Sequence, residues 1–509
     1  MRKHIFIVFI IWTYGLFAQD FKDYNIDKNR NIPSYFVTYS IETSAFTSNG
    51  KFSPLWFSAN RFGLSSTEKS SGFIRAGLTY EKKLKHNWKF NTGIDLAGGW
   101  NMTANFRLQQ LFAEICWKNF KLGIGRKERY GFPLVKNYRL SSGMMVEGPN
   151  TLPVPQIRGE LSEFTSIPGT KDWLAFKGHI AYGMFYENNW QKDFVRPGGL
   201  FTEDVLYHSK SLMLRLGNVK KIPVDFEFGI LMATQFGGNQ FRMNDDGSVT
   251  KILDMPSNGK AFWKAFFPQS GGSDTPEGEQ VNMEGNHVGS WNFALNLYCG
   301  DWKIRGYLEH YFEDHSQMFW EYGRWKDGQI GIEISFPKNR WISSLVWEGL
   351  CTKDQSGPLL YDGFWGQFPE YQISANDDYY NHYIYGAWQY MGMGMGNPLI
   401  PGPLYNDEKG INFRSNRMKG QHLGIEGMPT EEWRYRVLLS LNRHWGTYKN
   451  PLESVKRQFS SMVEVQYFPK NLLGWNACLS VGFDRGNYTG NTTGIMISIK
   501  KTGCIGRIF

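Results

Sequence analysis

The sequence predicts an all-β protein: a transmembrane antiparallel β-barrel of about 18 strands, with short periplasmic turns and long extracellular loops. Three features predict it. Apolar and polar residues alternate in runs of roughly ten residues, the length that crosses a bilayer as a tilted strand. These runs are joined by short and long connections in turn. After the N-terminal segment there is no run of about 18 apolar residues, which excludes a helical membrane protein.

The clearest runs are C-terminal. Trp433, Tyr435, Val437, Leu439 and Leu441 alternate with Arg434, Arg436, Leu438, Ser440 and Asn442. Phe459 to Tyr467, Trp475 to Phe483 and Ile495 to Ile499 repeat the pattern. A period of two places one set of side chains on each face of a strand. Earlier runs begin at Tyr35 and include Ile74–Tyr80, Trp88–Leu96, Leu111–Trp117, Leu174–Met184, Val224–Met232, Trp291–Leu297, Trp302–Phe312, Ile330–Phe336 and Trp341–Trp347. A soluble β-sandwich also alternates, but it does not require the regular exchange of short and long connections.

Composition agrees with the barrel. Hydrophobic residues are 41% and mean hydropathy is -0.43, values that look soluble. A barrel has both because half its strand residues face a polar lumen. Aromatic residues are 16% of the chain, as aromatic girdles require. The net charge of +9 is spread over 509 residues without clusters, so nucleic acid is not an expected partner. The five cysteines, Cys116, Cys299, Cys351, Cys478 and Cys504, are odd in number and irregular in spacing. They give neither a disulfide framework nor a zinc motif and read as small packing residues.

Residues 1–18 read as a secretory signal. Arg2, Lys3 and His4 precede an apolar core from Ile5 to Trp12, with cleavage near Ala18. Residues 19–33 are a polar periplasmic lead-in, and 34–509 form the barrel. Short turns lie at Pro168–Asp172, Asn218–Pro223, Gly300–Asp301, Pro337–Arg340, Pro429–Glu432 and Pro469–Leu473. Long loops lie at 188–204, near 237–286, at 313–328, near 351–416 and at 446–456. Counting strand directions, 351–416 holds either no strand or two: one external lobe, or a strand at Tyr383–Met391 with a partner. Trp88, Trp173, Trp302, Trp341, Trp433 and Trp475 stand at strand ends, where amphipathic rings suit a membrane interface. Phe509 gives the aromatic C-terminus that barrel-assembly machinery reads, which predicts the outer membrane.

The chain resembles the capsule-assembly outer-membrane proteins of the Wzi type, in the form found in Bacteroides-like bacteria. Five stretches carry the resemblance: Leu122–Glu128, Leu152–Glu160, Tyr380–Tyr383, Gly396–Leu399 and Phe413–Arg417. Their specificity lies in their order along a chain of barrel length, from about Tyr35 to Phe509. The resemblance implies a monomeric barrel of about 18 strands, closed rather than open. It implies a lectin-like role in holding capsular polysaccharide at the cell surface. It also implies a small periplasmic helical bundle, for which no matching amphipathic stretch is apparent. It carries over no sugar contacts residue by residue.

The loop from Tyr361 to Tyr390 is the candidate carbohydrate site. Sugar rings offer C–H faces to aromatics and hydroxyls to carboxylates and amides. Trp365, Tyr371, Asp378, Tyr380, Asn381, His382 and Tyr383 are the expected contacts. The alternative is that these aromatics pack the loop on itself or plug the barrel. Asp377, Asp378 and His382 have acid–base residue types, but no nucleophile–His pair or paired acids accompany them, so no catalysis is expected. Glu309, His310, Glu313, Asp314 and His315 read as a lumen hydrogen-bond network rather than metal ligands, and no cofactor is expected. Asn244–Gly247 reads as a turn, because an EF-hand's closing Glu is missing. Arg75, Arg158, Arg305, Arg434 and Arg436 with Glu81, Glu114, Glu309 and Glu464 lie mid-barrel by pattern, where pairing would narrow the lumen.

The expectation is a non-catalytic, lectin-like outer-membrane protein that attaches capsular or other surface polysaccharide. A porin or saccharide channel is the alternative. The bilayer, the polysaccharide and the assembly machinery are the expected partners.

Overall fold

Eighteen antiparallel strands pair in chain order, and the last pairs back with the first, so the sheet has no edge. The computed structural model describes residues 35–131, 133–320, 325–357 and 376–505. The expected signal and lead-in residues, Trp365, Tyr371 and Phe509 lie outside them. The strands are β1 Tyr35–Ser48, β2 Ser70–Lys83, β3 Trp88–Trp100, β4 Phe106–Trp117, β5 Phe120–Arg126 and β6 Gln156–Ser166. Then follow β7 Leu174–Met184, β8 Leu206–Leu216, β9 Val224–Phe236, β10 Asn286–Cys299, β11 Trp302–Glu313 and β12 Gly328–Ser335. The last six are β13 Ser344–Cys351, β14 Met418–Gly427, β15 Trp433–Gly446, β16 Pro451–Tyr467, β17 Trp475–Gly486 and β18 Thr492–Ile505.

The period-2 pattern sets the wall. On β15, Trp433 and Leu441 are exposed outside while Leu438, Ser440, Asn442 and His444 are buried inside. The same division gives an outer belt of Ile74, Leu78, Leu122, Ile180, Ile330 and Ile497, all exposed. An exposed apolar band running round the whole barrel suits hydrocarbon and not water. Trp88, Trp117, Trp302, Trp341, Trp433 and Trp475 mark its end at the short turns. The expected short turns and long loops are found at opposite ends, with one difference: β16 begins at Pro451, so the loop there is only 447–450. Phe459 and Val463 pair with Leu441 and Val437, and after a register shift Pro451 still pairs with Gly446, so the ladder runs past the Lys and Asn that suggested a loop.

The described residues of 352–417 contribute no barrel strand. Cys351 and Lys419 are register partners, so β13 and β14 are direct neighbours. The described part, from 376, is not an external lobe either. It folds into the lumen with the loops 49–69 and 127–155. A closed barrel of this size is too wide to be filled by wall side chains alone. Chain from the loops fills it instead. Phe57, Leu134, Leu140, Met145, Trp388, Tyr390 and Phe413 are all nearly inaccessible. At Gly424 of β14 a Cβ would stand 2.4 Å from the Leu140 carbonyl oxygen, so the inserted backbone rests directly on the wall.

Wall and insert are joined by charge. Lys136 Nζ is 2.5 Å from Glu309 Oε2, with both side chains buried. Glu348 accepts from Ser141 Oγ at 2.6 Å and from the Ser142 N–H at 2.7 Å. Arg139 Nε donates to Glu426 at 2.7 Å, and Arg75 bridges Asp95 and Glu128. Arg436 pairs with Glu464, Arg305 with Glu227, and Arg158 with Glu160. Most of the mid-barrel charges therefore pair with a neighbouring strand or with the insert. Glu81 and Arg434 differ from the expectation: their register partners place them near the turn end. There Arg434 lies over the Phe468 ring. All five cysteines are free.

Two other loops turn outward and down the wall between β7 and β11. The helix Gly259–Phe266, capped by Asn258 at the N–H groups of Lys260 and Ala261, lies against outward-facing residues. Tyr182 Oη donates to the Phe262 carbonyl at 3.0 Å, and Lys210 Nζ donates to the helix's last carbonyls. In the loop 314–327, Met318 accepts from Trp291 Nε1, and the Trp325 ring stacks on His310 at 4.5 Å. His208, His287 and His310 occupy outward positions that would otherwise meet lipid. The two loops bury them and present Phe262, Trp263, Phe267 and Trp320 instead. This helix is too short to leave a 3.6-residue stripe in the sequence.

Candidate functional site

The expected residues lie at the loop end, and the geometry there follows from what the insert does with them. Tyr380 is 1% exposed. Its N–H donates to Glu313 Oε1 at 2.6 Å and its hydroxyl to the Met145 carbonyl at 2.5 Å. The ring packs between Tyr311 and Phe413. It is a packing residue with no face open to a polymer. Asp378 accepts from Asn381 Nδ2 and from Asn416 Nδ2. Asn381 also brackets the Phe413 backbone, donating to its carbonyl at 3.0 Å and accepting from its N–H at 2.7 Å. Both side chains hold the loop closed. Tyr379, Tyr385, Trp388 and Tyr390 are buried too, and Trp388 Nε1 donates to the Val146 carbonyl at 2.7 Å. Among the described residues of the expected set, only Tyr383 presents an open ring, at 54% exposure.

His382 Nε2 lies 3.5 Å from Glu279 Oε1, on the helix Glu277–Val281 of the neighbouring loop. Burial pushes His382 down to about 3 and Glu279 up to about 7. Between those values both groups are neutral, so the contact is not an ion pair. Glu279 also accepts from the Gly285 N–H at 2.5 Å, while its carbonyl accepts from Gly271 at 2.7 Å. The consequence is a pH-sensitive loop. Glu279 loses its proton near 4.5 when the segment opens and near 7 when it is packed. Its contribution to local stability is therefore complete below 4.5, fades as pH rises, and is gone above about 7, a change of about 3 kcal/mol. Amide exchange at Gly271 and Gly285, corrected for intrinsic rate, should show less protection at pH 8 than at pH 5. Glu279→Gln should flatten that dependence; a variant that keeps it would assign the effect to another group.

Glu309 and Glu313 face inward and His310 outward, so the strand separates them. Among the described residues no three side chains of metal-ligating type converge. Asn244–Gly247 is a turn between the strands Gly238–Met243 and Val249–Met255, with Asp246 accepting from Ser248.

A cavity of about 210 Å³ opens beside the insert, at the loop ends of β7, β8 and β9. Tyr186, Asn188, Asn189 and Asp204 form its mouth, with Trp190 and Glu187 deeper. Sequence reading passed over it in favour of the aromatic-rich stretch at 361–390. The one available signal was that Glu-Asn-Asn-Trp opens a long loop.

No protein-family model matches the chain, and no curated protein matches it in sequence. Solved structures do match. Wzi of Escherichia coli, an outer membrane protein involved in group 1 capsule assembly and described as a carbohydrate-binding β-barrel, superposes with a TM-score of 0.56. Sequence identity is 12%, over 92% of this chain and 85% of that one. This chain has the closed antiparallel fold of an outer-membrane β-barrel. OprD of Pseudomonas aeruginosa gives a TM-score of 0.45 at 8% identity, covering 92% and 95% of the two chains. The opdK protein of the same organism gives 0.47 at 9%, covering 92% and 99%. These likenesses concern the fold.

Proposed function

We propose that this outer-membrane barrel attaches surface polysaccharide, capsular or extracellular, without catalysis and without conducting solutes. One observation carries the reading: the lumen is occupied by the chain's own loops, tied to the wall through buried pairs such as Lys136–Glu309. A barrel built to pass solutes keeps its channel open, whereas a barrel built to hold a polymer needs only a stable platform for its surface loops. The capsule-assembly role described for the Escherichia coli barrel of similar fold agrees with this reading. Polymer binding would draw on many weak contacts, so multivalency would supply much of the retention. Trp365, Tyr371 and Tyr383 are the members of the expected set left to offer rings. Tyr380 serves the packing, and its loss would report on folding rather than on contact.

The test pairs two measurements on the purified barrel. Binding to the producing organism's surface polysaccharide is expected for the wild type and reduced for Trp365→Ala with Tyr383→Ala. A planar bilayer containing the barrel is expected to show no steady conductance. Conductance together with no polysaccharide binding would replace attachment by the channel reading.

A further inference from the structure

The cavity at the loop ends of β7–β9 has the composition and rigidity of a binding site. Its floor is fixed before any ligand arrives. Glu187 accepts from Gln191 Nε2, from Gln389 Nε2 at 3.1 Å and from the Met391 N–H at 2.8 Å. Gln191 Oε1 in turn accepts from the Thr202 N–H at 3.0 Å. Burial raises the Glu187 carboxyl. Trp190, 8% exposed and stacked on Phe194, forms one wall.

The mouth is different. Tyr186 is 60% exposed, and its backbone carbonyl accepts from Tyr390 Oη at 2.8 Å, while its hydroxyl has no hydrogen bond among the described residues. Asn188, Asn189 and Asp204 take left-handed backbone conformations, with φ of 47°, 62° and 59°. Asn and Asp enter this region more readily than other non-Gly residues, here in tight turns that leave the three residues exposed. Among the described residues, no hydrogen bond engages the side chains of these three or of Glu203. A volume of 210 Å³ is below the roughly 300–1,000 Å³ of drug-sized pockets, and so fits a single ring.

We infer that this cavity is a subsite for one uncharged sugar residue, a neutral hexose or N-acetylhexosamine, of the polymer that the barrel holds. The inference rests on the attachment reading. Tyr186 supplies the face for the sugar's C–H surface, and Asn188, Asn189 and Asp204 supply amide and carboxylate partners for hydroxyls. Glu203 and Asp204, with only Lys192 opposing them, make the mouth net acidic and exclude a uronic acid by like-charge repulsion. This selectivity is opposite to what the chain's overall charge of +9 would favour.

The experiment uses the full barrel in detergent and matched probes: oligosaccharides of glucose, of N-acetylglucosamine and of glucuronic acid, all of equal length. Tryptophan emission is read at Trp190, with Trp190→Phe to assign the signal. The neutral or N-acetylated series is expected to bind at least tenfold more tightly than the uronate. Tyr186→Ala should lower that affinity about tenfold, a loss of about 1.4 kcal/mol. Because Tyr186 is exposed, an unchanged unfolding curve will separate this loss from misfolding. Glu203→Gln with Asp204→Asn should bring uronate binding up towards the neutral series. If the wild type binds surface polysaccharide but Tyr186→Ala binds it equally and no probe perturbs Trp190, the subsite is wrong and attachment stands. If the wild type binds neither polysaccharide nor probe, both readings fall. A preference for uronate overturns the charge argument and the ligand class with it.

Discussion

Replacing Lys136 by methionine is expected to destabilise the barrel by about 3–5 kcal/mol, the usual cost of stranding one member of a buried ion pair. Lys136 enters the lumen on the loop 127–155, and its side chain is 2% exposed. Its ammonium meets Glu309 of β11 at 2.5 Å, the Gly143 carbonyl at 3.0 Å and Gln329 Oε1 of β12. Methionine fills a similar volume but donates nothing. Glu309 would keep one hydrogen bond, from the Met145 N–H at 3.0 Å, and lose its counter-charge. Solvent cannot replace it, because Glu309 is fully buried. The double variant Lys136→Met, Glu309→Leu should recover most of the loss, since removing both charges removes the desolvation cost as well. Urea unfolding in detergent, followed by tryptophan emission and by heat-modifiable migration, reads both. A Lys136→Met barrel as stable as the wild type would mean that water reaches Glu309, and that the lumen is less completely filled than its burial indicates.

The wall was legible from sequence because period 2 is imposed directly by strand geometry. The run from Trp433 to Leu441 has outward and inward sets, and the barrel has the same sets. The sequence left the place of the insert open, as sugar platform or barrel plug, because nothing local distinguishes an aromatic loop that reaches outward from one that folds inward. Tyr380, Tyr385 and Trp388 look like sugar platforms as a composition. What decides their place is the width of the lumen they fill, a property of all the strands together. The buried carboxylate at Glu309 was legible as a wall charge and that at Glu348 was not, and their partners Lys136, Ser141 and Ser142 lie more than 150 residues away in a different loop. The outward histidines are a second case. His208, His287 and His310 break the apolar rule of the lipid face, and the draped loops that cover them explain why the break is tolerated. Those positions, polar within otherwise apolar outward sets, were a readable sign that something shields the wall there.

Excising the large insert should turn a closed barrel into a conducting one. The deletion is geometrically simple. Cys351 and Lys419 are register partners, and the Thr352 N–H donates to the Met418 carbonyl at 3.0 Å. The ends of the segment therefore already stand at hairpin distance, and a turn of about four residues can replace 353–416. The wall keeps every strand and every ladder. The lumen loses Tyr379, Tyr380, Tyr385, Trp388, Tyr390 and Phe413, the bulkiest part of its filling. The loop 127–155 would remain tethered by Lys136–Glu309 and by Ser142 to Glu348, so the opening would be partial. A barrel of about 18 strands leaves an aqueous channel wherever chain does not fill it. Discrete conductance steps are expected from the deletion in a planar bilayer and none from the wild type, with heat-modifiable migration establishing that the deleted barrel is folded. A folded deletion that stays silent would show that the loops 49–69 and 127–155 seal the lumen by themselves, and the role of the insert would then be confined to the surface. A conducting wild type would instead remove the main support for attachment.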